Sequence, residues 1–250
     1  LMVPVCNMPA YEAATRSSPV DGLNLARVFP GNPEGSITQR IACFLTQKIF
    51  PHADFLIDLH SGGTAYNIPT LAGYIHRDDR LGQVSLEAAR AFDAPILWGH
   101  PSIAPGRTLS AATDLGVPSL YTEAPGGGFA RPEDVACFRD GVCNVMKGLD
   151  MLEGAPHTHP PTHHLIGDGN IDQAILSPVA GLYRPEVHLL DEVHSGQRLG
   201  TVQDFFGRTT AEITANRAAR QKRNVGFCTR RRNGPRNISS FPARRSLPSF

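Results

Sequence analysis

The 250-residue chain is short of several things. It has no apolar run near the ~18–20 residues that a membrane span needs. Leu1-Met2-Val3-Pro4-Val5 lacks a basic leader and a small-residue cleavage pattern, so a signal peptide is not expected. Its five cysteines are odd in number, scattered, and never spaced Cys-x-x-Cys. That argues against a disulfide framework and for a reduced, cytoplasmic setting. Gly126-Gly127-Gly128 has no following lysine and no strand–loop–helix register, which argues against a nucleotide phosphate loop. Acidic side chains are missing from residues 216–250, which carry ten Arg or Lys, so the net charge of +1 hides a balance of −9 over the first 215 residues. The tail has no recognisable nucleic-acid module, so nucleic-acid binding is not the favoured reading. Its abrupt change of composition resembles translation in a shifted frame, and disorder is the expected state.

What is present is 41% hydrophobic residues, ample for a core. Asp54 to His60 is an apolar run ending in Asp-x-His and Ser61-Gly62-Gly63, a buried strand stopped by a tight turn. Strands are also expected at Leu1–Asn7, Leu71–Ile75, Pro95–Trp98 and Pro118–Glu123. Helices are expected at 37–50 (Ser36 as N-cap), 79–92, 108–115 and 132–152, with residues 8–35 a long ordered loop. Strands alternating with helices predict an α/β domain over 1–153. Residues 154–169 read as a linker. Glycine-spaced short strands predict a small β module over 170–215, and 216–250 form the tail. The linker holds His157, His159, His163 and His164 among prolines. A histidine-rich tract can bind metal, but nothing in the sequence fixes the geometry of this loop, and solvated histidines are the expectation.

Three stretches can carry chemistry. His60, at a strand's C-terminal edge, could be a metal ligand, a general base or a packed polar residue. Arg16 and Arg27 share the long loop and present planar forks suited to a carboxylate or an oxyanion, or else pair with local acids. Glu123 ends a buried strand before a glycine-rich turn. It is either a general base or an acceptor for the Gly126–Gly128 amides.

In order, Asp21-Gly22-Leu23-Asn24-Leu25-Ala26-Arg27-Val28-Phe29-Pro30-Gly31, then Asp58-Leu59-His60-Ser61-Gly62-Gly63, then Thr122-Glu123-Ala124-Pro125-Gly126-Gly127-Gly128 resemble the succinylglutamate desuccinylase/aspartoacylase family. The resemblance covers roughly residues 3–214 and is nearest to the N-acetyl-diaminobutyrate deacetylase-like proteins of ectoine breakdown. It implies a zinc-carboxypeptidase-like α/β/α sandwich with a mixed sheet and a C-terminal β module. It also implies Zn2+-dependent hydrolysis of the amide bond of a small N-acyl amino acid. On that basis His60 is a zinc ligand and Glu123 the base that activates water. Arg16 steadies the oxyanion, and Arg27 with Asn24 holds the substrate carboxylate. The family's usual second asparagine is replaced by Ala26, and its His-x-x-Glu pair of zinc ligands is not in the sequence. The expectation is a chain lying downstream of that pair and holding zinc weakly. The expected partner is a small N-acyl amino acid, with no membrane, and a homo-oligomer is left open. The alternative is a non-catalytic binder of small carboxylate ligands.

Overall fold

The computed structural model describes residues 1–64, 66–167 and 175–215. The basic tail and the start of the expected β module lie outside these residues.

Helix α1 (Met8–Glu12) is followed by a 3-10 turn at Leu25–Arg27 and helix α2 (Ile37–Phe44). The helical path of α2 continues through a wider turn at Leu45–Ile49 and a 3-10 turn at Phe50–His52, so the run expected over 37–50 holds one direction but changes its hydrogen-bond pattern. Ser36 stands at the N-cap, and its N–H donates to Gln39 Oε1 at 3.0 Å. Asp21 secures this end from seventeen residues away. Its Oδ2 accepts Thr38 N–H at 2.9 Å and Ser36 Oγ–H at 2.7 Å, and its Oδ1 accepts Thr38 Oγ1–H at 2.9 Å. The aspartate of the first motif therefore fastens the arginine-bearing loop to α2.

There follow β1 (Leu56–Ser61), β2 (Leu71–Ile75), α3 (Arg80–Ala91), β3 (Ile96–His100), α4 (Thr108–Asp114), β4 (Ser119–Ala124) and α5 (Pro132–Gly148). Local sequence explains the helix ends. Asp79 caps α3 by accepting Gly82 N–H at 3.0 Å. Helix α5 opens on Pro132 with Glu133 and Asp134 in its first turn and ends near Lys147, which complements its dipole.

The main sheet runs β1-β4-β2-β3-β5, with β5 at His163–Ile166. Strands β1 and β4 are parallel, β2 runs antiparallel to β4, and β3 and β5 are parallel to β2, so the sheet is mixed. One face packs Ala72, Tyr74, Leu97 and Leu120 with Phe92 of the α3 end and Val145 of α5. The other packs Phe29, Ala42, Leu45, Phe50 and Ala111, from α2, α4 and the loops beside them. This is a layered α/β fold of the expected class. A separate antiparallel sheet, β6 (Leu182–Pro185), β7 (Arg198–Gln203) and β8 (Thr209–Thr214), encloses its own core of Val193, Leu199, Val202 and Ile213.

Three expectations are corrected. Leu1–Asn7 is not a strand; Leu1 and Met2 are exposed and pair with no sheet edge. Residues 163–166, in the segment expected as a linker, form β5 at the edge of the main sheet beside β3. Of the first β-module strand, expected near 175–182, Ile175–Gly181 is irregular and the strand begins at Leu182. Among the described residues, no helix is long and apolar enough to cross a membrane.

Candidate active site

The parallel register places Asp58 beside Tyr121 and His60 beside Glu123. Residues two apart on a strand share a face, and register partners point the same way, so all four project from one side of the sheet. His60 and Glu123 thus end adjacent strands at the same edge.

The glycines after each strand bring the two following loops together. Gly62 N–H donates to Ala124 O at 3.0 Å, Gly127 N–H to Tyr66 O at 3.1 Å, and Gly128 N–H to Gly63 O at 2.9 Å. A Cβ on Gly126, at φ +85, would stand 2.6 Å from the Gly62 backbone, and a Cβ on Gly62 would stand 2.6 Å from Pro125 O. Only glycine permits this backbone-on-backbone interlock. It also decides between the two readings of Glu123. The Gly127 and Gly128 amides are taken by carbonyls, while Glu123 Oε2 is buried with no hydrogen-bond partner. The glutamate does not serve the turn.

Asp58, which the sequence offered only as part of Asp-x-His, holds the histidine. His60 Nε2 lies 2.7 Å from Asp58 Oδ2, and Thr108 Oγ1–H donates to the same carboxylate oxygen. With Nε2 engaged, Nδ1 is the ring atom available to a ligand. Burial works against a charge on His60, but the carboxylates of Asp58 and Glu123 outweigh it and raise its pKa to about 9, with Arg16 opposing. Burial pushes Asp58 up, but His60 and the Thr108 hydroxyl hold it below the usual carboxylate value. Glu123 is raised to about 7, by burial first and by Asp58, while His60, Arg16 and Arg27 pull it down. A carboxyl with that affinity exchanges its proton near neutral pH, as a general base or acid requires.

Arg16 therefore acts on both His60 and Glu123, and Arg27 acts on Glu123. Both arginine charges are thus felt at the ends of β1 and β4. The Arg16 guanidinium sits 5.3 Å over the Tyr66 ring, on the loop that accepts Gly127 N–H. Arg27 is seated by its surroundings. Its Nη1–H donates to Ala26 O at 2.8 Å, and Phe29 N–H donates to Gly106 O at 3.1 Å. Gly106, at φ +87, brings its backbone so close that a Cβ would meet Arg27 O at 2.5 Å. Asn24, expected to touch substrate, caps this turn: its Oδ1 accepts Ala26 N–H at 3.1 Å. Its visible work is to shape the turn that carries Arg27.

Behind Glu123, the Tyr121 ring lies over Gly73, where a Cβ would stand 1.9 Å from the ring. Gly167 O can only accept from His100 Nδ1–H, at 2.9 Å, which leaves Nε2 to accept Tyr121 O–H at 2.9 Å. Burial and then the Glu123 charge push the phenol above its ordinary value, so it remains a hydrogen-bond donor. Asp58, Thr108, Tyr121 and Gly106 were missed as site residues because only the folded register gathers them.

A metal at this cleft would find His60 Nδ1, backed by Asp58, with Glu123 beside it. Catalytic zinc normally takes three protein ligands. Among the described residues, the one group of three potential ligands is Asp93, His157 and His159, elsewhere in the fold. Among the described residues, the donors at His60 therefore do not make a complete zinc centre.

A family model described as the succinylglutamate desuccinylase/aspartoacylase catalytic domain matches residues 1–149. The chain belongs to this family. It is 33% identical over 215 residues to the N-alpha-acetyl-L-2,4-diaminobutyric acid deacetylase of Halomonas elongata, which covers 85% of this chain and 63% of that enzyme. The chain thus spans less than two thirds of that relative's length. The fold matches the succinylglutamate desuccinylase/aspartoacylase crystal structure from Rhodobacter sphaeroides with a TM-score of 0.75 and 32% identity, over 86% of this chain and 67% of that one. It also matches the product-bound ectoine utilization protein EutE (DoeB) of Ruegeria pomeroyi, with a TM-score of 0.78 and 30% identity, over 87% and 67% of the two chains. In this member of the family, the glycine interlock, the Asp58–His60 pair and Glu123 lie together at the ends of β1 and β4.

Proposed function

We propose that the chain supplies the water-activating and anion-binding half of a hydrolase that cleaves the amide bond of a small N-acyl amino acid. The observation that carries this reading is Glu123: register partner of His60, with one oxygen buried and unbonded and a proton affinity near neutral. In the proposed roles, Glu123 takes a proton from the attacking water and passes it to the leaving amine. Arg16 faces the oxygen of the scissile carbonyl as it gains charge. Arg27, on the turn set by Asn24, receives the substrate carboxylate.

Family membership and the deacetylase named above support an acetylated diamino acid such as N-acetyl-diaminobutyrate as the substrate class. Zinc is the metal that this reading takes. Among the described residues, the share of its coordination at this site is His60, oriented by Asp58. The free thiols Cys6, Cys43, Cys137 and Cys143 accord with a cytoplasmic setting.

A second reading is favoured by the donor count at His60: a carboxylate binder that keeps Arg16 and Arg27 but does not turn over. Acetate release from Nα-acetyl-diaminobutyrate, with zinc supplied, separates the two. Release that is lost in Glu123→Gln supports hydrolysis. Release that survives Glu123→Gln overturns the role given to Glu123. Arg27-dependent binding of the same compound without release favours the binder.

A further inference from the structure

The histidine-rich segment after α5 is not the free loop that its prolines suggested. Asn144, 7% exposed on α5, clamps His157 from both sides: Asn144 Nδ2–H donates to His157 O at 2.8 Å, and His157 N–H donates to Asn144 Oδ1 at 3.1 Å. Two residues on, His159 N–H donates to Asp93 Oδ1 at 2.6 Å. Thr162 N–H and Oγ1–H both donate to Pro95 O at 2.8 Å. Asp93 itself sits at φ 63 just past α3, a left-handed position that directs the chain into β3.

The pinned backbone gathers ligating side chains. His157 and His159 alternate along an extended segment, so their rings lie on one side, with centroids 4.9 Å apart. Asp93 Oδ2 meets His159 Nδ1 at 2.8 Å. One ligand atom each from Asp93, His157 and His159 lies within 4.8 Å of the others. Zinc bonds of ~2.0–2.1 Å put neighbouring ligands about 3.3 Å apart, so rotation of exposed imidazoles closes the difference without moving backbone. Two imidazoles and one carboxylate suit Zn, Cu or Ni rather than Mg or Ca.

We infer that Asp93, His157 and His159 form a transition-metal site, separate from the His60 cleft, that clips the segment after α5 to the turn between α3 and β3. The two places are distinct. Ile96 of β3 is reached from His60 across Glu123 and Leu71, three strand spacings or about 14 Å. Asp93 also follows α3, on the sheet face opposite α2 and α4. The three donors leave the remaining coordination to water, and because Asp93 and the two histidines lie on different segments, a shared ion joins those segments. An ion that binds only the folded chain raises its stability in proportion to the logarithm of ion concentration over Kd.

The test uses the full chain with zinc alone, by equilibrium dialysis and thermal melting, in four forms: unaltered, His60→Ala, Asp93→Asn and His157→Ala/His159→Ala. The unaltered and His60→Ala chains should each retain one zinc and melt higher with it. The Asp93→Asn chain and the double variant should bind at least tenfold more weakly and lose the shift. Equal retention by the double variant, or none by His60→Ala, overturns the site. Should a variant fail to fold by circular dichroism, imidazole NMR signals of the unaltered chain decide: those of His157 and His159 must move with one equivalent of zinc, and unmoved signals overturn the site as well.

Discussion

Asp58→Asn asks whether the Asp58–His60 pair sets the charge of the cleft. Asparagine keeps the shape and can still face Nε2, so the change removes the anion and little else. In the metal-free chain, burial alone would push the imidazole below its ordinary 6.5, while the neighbouring carboxylates lift it to about 9. At 1.36 kcal/mol for each tenfold change in proton affinity, the rise corresponds to roughly 3 kcal/mol. The His60 side chain is 36% exposed, so solvent screening reduces the stabilising share to roughly 1–2 kcal/mol. Because the folded value is the higher one, this share is complete below pH 6.5, fades as pH rises toward 9, and is absent above it. NMR titration in the presence of a chelator should find the His60 ring titrating near 9 in the unaltered chain and at or below 6.5 in Asp58→Asn. Urea denaturation should find the variant less stable by roughly 1–2 kcal/mol at pH 6, with the gap closing above pH 9. The same His60 midpoint in both chains, or a gap that widens with pH, would refute the pairing.

Gly126→Ala forces a Cβ against the Gly62 backbone at a left-handed φ, and should cost roughly 2–4 kcal/mol in urea denaturation; unchanged stability would refute the interlock. Asp21→Ala should release the arginine loop from α2 and lower thermal stability. Desolvation opposes the Asp21 charge, but hydrogen bonds from Ser36, Thr38 and Leu23 hold its carboxyl below the ordinary 3.8, so its contribution is present above about pH 4 and lost as pH falls below that. The variant's deficit should therefore shrink in acid, as a pH series of melts would record. Arg27→Ala should weaken binding of a carboxylate ligand about 10–100-fold by calorimetric titration, the loss of a charge-assisted hydrogen bond; unaltered affinity would remove Arg27 from the site.

Strands β1, β2 and β4 and helices α3 and α4 stand within a residue or two of where the sequence puts them. Their apolar runs are bounded by glycines, prolines and capping side chains, and those signals are local. Leu1–Asn7 has the composition of a strand, but a strand also needs a partner edge, which composition does not encode. Strand β5 was hidden because His163-His164 reads as polar and follows prolines, yet the edge of β3 accepts it. At the candidate site, His60, Glu123 and Arg27 stand inside the quoted motifs, whereas Arg16 lies before the first of them. Thr108 and Gly106 were not, because each meets its partner across fifty or more residues. Asn24 and Asp21 were legible as motif residues, but their work as caps emerges only when the loop is folded against α2. The clamp of Asn144 on His157 left no trace, since a polar residue on a helix carries no sign of what it binds.

The most direct measurement of the central claim is a crystal structure of the Glu123→Gln chain with Nα-acetyl-diaminobutyrate. The ligand is expected at the β1–β4 edge, with its carboxylate on Arg27 and its amide carbonyl within hydrogen-bond reach of Arg16 and facing the side chain at position 123. A carboxylate bound away from Arg27, or an amide that does not face position 123, would contradict the assignment of this cleft.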